Sequence, residues 1–268
     1  MKAIDLTKKS GYIHSYLGDQ HPSQQLRLHT LECAFDPLSQ SVFKQLDLPH
    51  NPTILDLGAG AGSLARWLTR KYPQATVIAT DIDTRFLTDI PGIQVMTHNV
   101  VTDDFPSAAF DVVHARALLC HLTEREDVLT RAVHWVRPGG WLVIEDISLQ
   151  PSLKTANPLF RKIAQAGITL LSQSVGSDML WAEALPNRLR NRGLSNIEYR
   201  TLVGQIGDSG PADAFWAATT AHAAPALLKE GLLTQKDLDG MHKMRADPAF
   251  TDEAMTFISA WGKVPKRG

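Results

Sequence analysis

The chain has 268 residues, 44% of them apolar, with 27 basic and 28 acidic side chains and a formal charge of −1. That content is enough for one substantial domain and speaks against a disordered chain, and the balanced charge offers no global field for nucleic acid or an anionic membrane. The two cysteines, Cys33 and Cys120, are too few for a disulfide framework or a structural zinc site. The opening "MKAIDLTKKS" lacks the apolar core of a secretory signal, and no run approaches the roughly 18 apolar residues of a membrane helix, so a soluble, cytoplasmic protein is expected.

In chain order, residues 1–50 read as a helical cap. Leu28, Leu31 and Phe35, then Leu38, Val42 and Leu46, recur at helical spacing, and Asp36-Pro37 is expected to end one helix and begin the next. Residues 51–150 alternate apolar strands with helical segments. A strand at Ile54 to Leu57 runs into a helix carrying Leu64, Trp67 and Leu68. "TVIATDID" ends near Asp81, "IQVMTHNV" near Asn99, "FDVVHARALL" begins at Phe110, and the turn "RPGG" feeds "WLVIEDI". Residues 151–268 add a long helix with Leu159, Phe160, Ile163 and Leu170, a strand near "NIEYRTL", amphipathic pieces over 211–238, and a final strand in "AMTFISAWGKV". Together these predict an α/β fold: a seven-stranded, mostly parallel, doubly wound Rossmann-like sheet with helical additions before the core and after its fifth strand. Ligand is expected beyond the strand C-termini.

The stretch "ILDLGAGAG" is the strongest local signal. Glycines at alternate positions permit a tight turn and close approach of a ligand where side chains would intrude. Ser63 follows Gly62 directly, without the lysine of a phosphate loop, so nucleoside-triphosphate hydrolysis loses its main cue. A dinucleotide site is a closer rival, since Gly58 and Gly60 fit its first two glycines, but residue 63 is Ser. Asp81, 23 residues beyond Gly58, suits an acid that accepts hydrogen bonds from ribose in either class.

Taken together, "ILDLGAGAGSLARWL", "VIATDID", "MTHNVVTDDFP", "FDVVHARALLCHL" and "VRPGGWLVIED" resemble the five successive core segments of class I S-adenosylmethionine-dependent methyltransferases, over roughly residues 52–150. The resemblance implies S-adenosylmethionine as cofactor. By matching position, Asp56, Gly58, Gly60 and Gly62 surround its methionine and ribosyl part, Asp81 with Ile82 takes the ribose hydroxyls, Asn99 and Val100 line the adenine end, and Ala115 and Arg116 wall the pocket. A narrower likeness of "SYLGDQHPSQQLRLHTL" and "GSDMLWAEALPNRLRNRGLSNIEY" to small-molecule methyltransferases of bacterial secondary metabolism implies that Tyr16 and Arg27 contribute to cofactor enclosure or the acceptor pocket; Tyr12 is a separate candidate for the acceptor pocket. Members of that branch usually carry glutamate where this chain has Gln24.

Methyl transfer needs no metal, and none is expected; it needs alignment of the acceptor and exclusion of water. Were the acceptor a hydroxyl, a base would help, and histidine titrates near neutrality. His121, just after the fourth strand, is the first candidate, and His222, on a lid helix, the second. His114 lies within a strand and is expected to be buried. Glu145, Trp181, Phe215 and Trp216 are candidates for the acceptor pocket. The expected reaction is transfer to a small, hydrophobic or aromatic metabolite, preferably at oxygen. A nicotinamide-dependent oxidoreductase, or an adenosyl-cofactor enzyme with non-methylating chemistry, is the alternative. No nucleic-acid or membrane partner is expected. The helical additions can pack as lids within one chain or cross to another subunit, so a homodimer is compatible with the sequence.

Overall fold

The structure is a computed structural model that describes residues 23–87 and 90–266. Seven strands form one sheet in the order β3-β2-β1-β4-β5-β7-β6. They are β1 (Thr53–Leu57), β2 (Thr76–Asp81), β3 (Ile93–Thr97), β4 (Phe110–Arg116), β5 (Val136–Ser148), β6 (Ser195–Ile206) and β7 (Asp252–Lys263). The first five strands are mutually parallel, and β7 inserts antiparallel between β5 and β6. The predicted fold class is the observed one. The order reverses between β1 and β4, which opens a crevice beyond their C-termini.

Strand periodicity sorts the core into two faces. Ile54, Val112, Val143 and Trp261 point to one side, where α1 (Ser23–Phe43) and α2 (Ser63–Lys71) cover them with Phe43, Leu64 and Leu68. Leu55, Val113, Leu142 and Ala260 point to the other, under α3 (Arg125–Trp135) and α6 (Leu185–Asn191). The remaining helices, α4 (Gln150–Lys154), α5 (Pro158–Val175), α7 (Pro211–Lys229) and α8 (Gln235–Ala246), form the later addition. In this addition α5, α7 and α8 share a cluster around Ile163, Leu227 and Met241. Among the described residues no helix is long and apolar enough to cross a membrane.

Three expectations need correction. Asp36-Pro37 does not divide two helices: α1 runs through Pro37. Proline there removes one backbone donor, but the Asp36 carboxylate is held by Arg116 and Ser63 instead of capping a new helix. No α-helix separates β2 from β3, or β3 from β4, among the described residues; a single 3-10 turn at Thr84–Phe86 follows β2. Pro91-Gly92 and Pro106 break helical continuation in these short connections. Finally, "RPGG" lies inside β5, whose pairing with β4 is irregular between Phe110 and Val112.

The N-terminal helix joins the later helices through aromatic packing. Phe35 is fully buried, stacked on Phe257 at 4.2 Å and edge-on to Phe215 at 5.5 Å. Truncating it empties the joint between α1, β7 and α7. Phe35→Ala is expected to cost about 3–5 kcal/mol in denaturant unfolding, the range for deleting a buried aromatic ring.

Candidate active site

The glycine turn after β1 is shaped by its backbone. Gly58 and Gly60 have φ of 62° and 58°, and a Cβ on Gly58 would lie 3.0 Å from the Leu118 side chain. Gly62, with φ of 76°, caps the start of α2. The turn is tied to the second strand: Ala59 N–H donates to Thr80 O at 2.9 Å, and Gly60 N–H donates to Asp81 Oδ2 at 2.9 Å. Asp81 Oδ1 accepts from Asp83 N–H at 3.1 Å, so each carboxylate oxygen keeps a lone pair for a ligand hydroxyl. Burial raises the Asp81 pKa to about 6, with these backbone hydrogen bonds holding it down in part.

One continuous cavity begins at this turn and extends to α5 and α7. Its cofactor-side wall includes Arg27, Gly58, Gly60, Asp81, Ile82, Asn99, Val100 and Arg116. These expected residues are therefore brought together. Asn99 Oδ1 accepts from Val101 N–H at 3.1 Å, so its oxygen serves its own turn and its amide N–H groups are left for a ligand. Tyr12 and Tyr16 lie outside the described residues.

Other expected residues are placed elsewhere. Asp56 and Glu145 do not line the cavity; they flank His114 beneath it. Gly62 packs against Leu87 and Ile90 behind the turn, and Ala115 is buried in β4, with Ala117 and Leu118 facing the cavity instead. Trp181 is a core residue whose indole N–H donates to Glu126 at 3.0 Å and whose ring lies 4.9 Å from the Arg188 guanidinium. His222 is buried and bonded to Ser23 Oγ at 2.7 Å, joining α7 to α1 away from the cavity wall. Phe215 and Trp216 do line the cavity, as expected of acceptor-pocket residues.

His121 also faces the cavity, at the junction of its two ends, and shares a hydrogen bond with Ser177 Oγ at 2.9 Å. Burial, reinforced by the Arg27 and Arg125 cations, lowers its pKa to about 3. The expectation of a histidine titrating near neutrality is thus overturned: His121 is a neutral hydrogen-bonding group.

Beneath the cavity lies a polar row that the sequence did not disclose. Asp56, His114 and Glu145 share strand parity with Ile54, Val112 and Val143, so all three point toward α1 and α2. His114 Nδ1 is 2.7 Å from Asp56 Oδ1, and Nε2 is 3.1 Å from Glu145 Oε2. Ser39 of α1 and Ser259 of β7 donate to Glu145 at 2.5 and 2.6 Å. Arg116 extends the row to Asp36 at 2.7 Å and Ser39 at 3.1 Å. Burial opposes a charge on His114, but the hydrogen bonds and charges of the two carboxylates prevail and raise its pKa to about 9. Glu145 is lowered despite its burial, chiefly by His114. His98, adjacent to Asn99, is a further cavity residue missed in sequence; its ring stacks on Phe105 at 4.4 Å.

Two pH dependences follow. His114 gains stability from its partners that is complete below its ordinary pKa of 6.5 and is lost as pH rises through about 9. Thermal unfolding should show that decline between those values, and His114→Asn should remove it. On the expectation that Asp81 takes ribose hydroxyls in its ionised form, affinity for S-adenosylhomocysteine should weaken as pH falls below about 6, with the slope abolished in Asp81→Asn by calorimetric titration.

Residues 55–144 match the methyltransferase-domain family. The methyltransferases str2 of Strobilurus tenacellus and GfsG of Streptomyces halstedii are similar in sequence. The first is 39% identical over 38% of this chain and 38% of its own length, and the second 25% identical over 67% and 66%. The chain thus spans only about two fifths of str2. Among solved structures, the [4+2]-cyclase SpnF shares the fold with a TM-score of 0.58 at 17% identity, covering 87% of this chain and 81% of that one. A methyltransferase from an antibiotic biosynthesis pathway of Anabaena variabilis gives 0.58 at 15%, covering 85% and 97%. Residues 55–144 thus form a methyltransferase domain, seated in the fold that these solved structures share.

Proposed function

We propose that the protein methylates a small, apolar acceptor at an oxygen atom, in the manner of the secondary-metabolism branch its sequence resembles. The observation that carries this reading is the single cavity whose glycine-and-acid end passes His121 into an apolar end lined by Ile163, Met179, Phe215 and Trp216. The pocket suits the cofactor: the positive-φ glycines leave space for its backbone-like chain, and both Asp81 oxygens have capacity for ribose hydroxyls. The cofactor supplies an electrophilic sulfonium methyl, whose transfer to a hydroxyl oxygen breaks the sulfur–carbon bond, forms an oxygen–carbon bond and releases the hydroxyl proton.

The chain's own part is to hold and orient. Gly58, Gly60, Asp81 and Asn99 bind, Arg116 fixes α1 against the turn through Asp36, and the apolar walls exclude water from the reacting oxygen. Neutral His121 accepts a hydrogen bond from the acceptor hydroxyl. With a pKa near 3 between two guanidinium groups, it does not retain the proton at neutral pH, so the proton passes on to solvent. The nicotinamide alternative is not favoured, because the matched domain and the sequence relatives are methyltransferases.

Calorimetric titration with S-adenosylmethionine, S-adenosylhomocysteine and NAD tests the binding step, and a screen of hydrophobic phenols with methyl-labelled cofactor tests the transfer. Binding of both adenosyl ligands, no NAD binding and labelled methyl ether are expected; NAD binding alone would sink the proposal. His121→Gln should lower kcat roughly tenfold, about the loss of one hydrogen bond. The wild-type kcat should show no histidine inflection near pH 6.5, the ordinary histidine value.

A further inference from the structure

One cation on the cavity wall has no counter-charge among the described residues. Arg27 of α1 lines the cavity and is only 6% exposed. Its Nε donates to Gln24 Oε1 at 2.9 Å, a neutral amide, and it takes part in no ion pair among the described residues. Nη1 and Nη2 have no partner there either. The enclosed polar atoms left without a partner belong to His98, Asp146, Arg188, Trp216 and Thr219, so both Arg27 nitrogens keep accessible surface, and the cavity is the opening that Arg27 lines. The neighbouring charges on the wall are already committed: Arg116 to Asp36 at 2.7 Å, and Glu32 to Arg66 at 3.9 Å. A guanidinium does not shed its proton to escape burial, so its charge must be met from the ligand side.

We infer that Arg27 holds the reacting oxygen of the methyl acceptor as an oxyanion, and that the acceptor is therefore an aromatic or enolic hydroxyl compound rather than an aliphatic alcohol. The inference rests on the proposed methyl transfer and names its substrate class. As the hydroxyl proton leaves for solvent, the O–H electron pair stays on oxygen; that pair then forms the oxygen–carbon bond, while the electrons of the broken sulfur–carbon bond stay on sulfur. A cation beside the oxygen eases loss of its proton, which suffices near neutrality only for a hydroxyl that is already acidic. Such help is needed because neutral His121 does not retain the proton. The methionine carboxylate of the cofactor is the rival anion for Arg27. The charge of Arg27 acts on His121, which the proposed reaction sets against the acceptor, and this favours the reacting oxygen.

The test uses 4-nitrophenol, whose anion absorbs visible light, titrated with pH in the S-adenosylhomocysteine complex of the wild type, Arg27→Gln and Gln24→Glu. The second variant keeps an acceptor for Arg27 Nε and supplies the missing counter-charge. In the wild type the bound dye is expected to ionise at a proton concentration roughly tenfold higher than the free dye. Both variants should remove that displacement, and 4-nitroanisole, the neutral methyl ether, should bind the wild type and Arg27→Gln alike. S-adenosylhomocysteine binding is measured first and reports folding; its absence in the wild type defeats the methyltransferase reading itself. Should Arg27→Gln alone lose it, Gln24→Glu decides. Titration with 5′-methylthioadenosine, which lacks the methionine carboxylate, separates the two anions. With S-adenosylhomocysteine binding intact in the wild type, four results overturn the oxyanion role alone: no binding of 4-nitrophenol, a dye that ionises as it does when free, a displacement retained in the deciding variant, or an Arg27→Gln that weakens S-adenosylhomocysteine more than 5′-methylthioadenosine.

Discussion

A charged histidine buried between two carboxylates is the interaction on which the rest of this structure depends. Asp56, His114 and Glu145 come from β1, β4 and β5, the strands on whose ends the glycine turn and the cavity stand. Each would be costly in isolation beneath an apolar sheet face. Paired, each needs the others in register, and the row is completed only when α1 brings Ser39 and β7 brings Ser259. The network therefore links the parallel core to α1 and to β7. It also explains why the acid of the first motif sits below the cavity: its carboxylate is committed to His114.

The same logic of commitment runs through the cofactor wall. Asp81 holds the turn through Gly60, and its raised pKa records its burial, opposed in part by the backbone hydrogen bonds it accepts. Arg116 faces the cavity while its guanidinium holds Asp36 and Ser39, so α1 is anchored at the cavity edge. Such groups are preorganised: their geometry is fixed by protein contacts, and binding requires little further ordering. His121 is their counterpart further along the cavity, kept neutral by burial and, to a smaller extent, by the Arg27 and Arg125 cations.

The apolar end of the cavity is built differently. The helices α5 and α7 close over the sheet through aromatic and aliphatic packing, with Phe215 shared between the Phe35 contact and the cavity wall. Shape there comes from side chains that also stabilise the fold, so pocket and core are one structure. This is why the core-filling and substrate-lining readings of Phe215 and Trp216 are not exclusive. The matched domain is held by its strands, whereas the apolar end of the cavity is walled largely by helices added after β5.

Local patterning determined the strands and the glycine turn, because strand period and turn chemistry are properties of adjacent residues, while the residues expected around a cofactor, from Gly58 to Arg116, came from the family resemblance. The same patterning misread Asp36-Pro37, since the partner that holds the Asp36 carboxylate, Arg116, is distant in sequence. It could not decide that Asp56 and Glu145 meet His114, that Trp181 belongs to the core, or that His222 meets Ser23. Those outcomes depend on strand register and on which helix faces which, neither of which is encoded in a single segment. Nor could spacing reveal that His121 is neutral, because its pKa is set by burial and by Arg27 and Arg125, brought beside it only by folding. The sequence by itself determined the fold and the glycine turn; tertiary packing alone decided the charge states and the apolar end of the cavity, because both arise from contacts between distant elements.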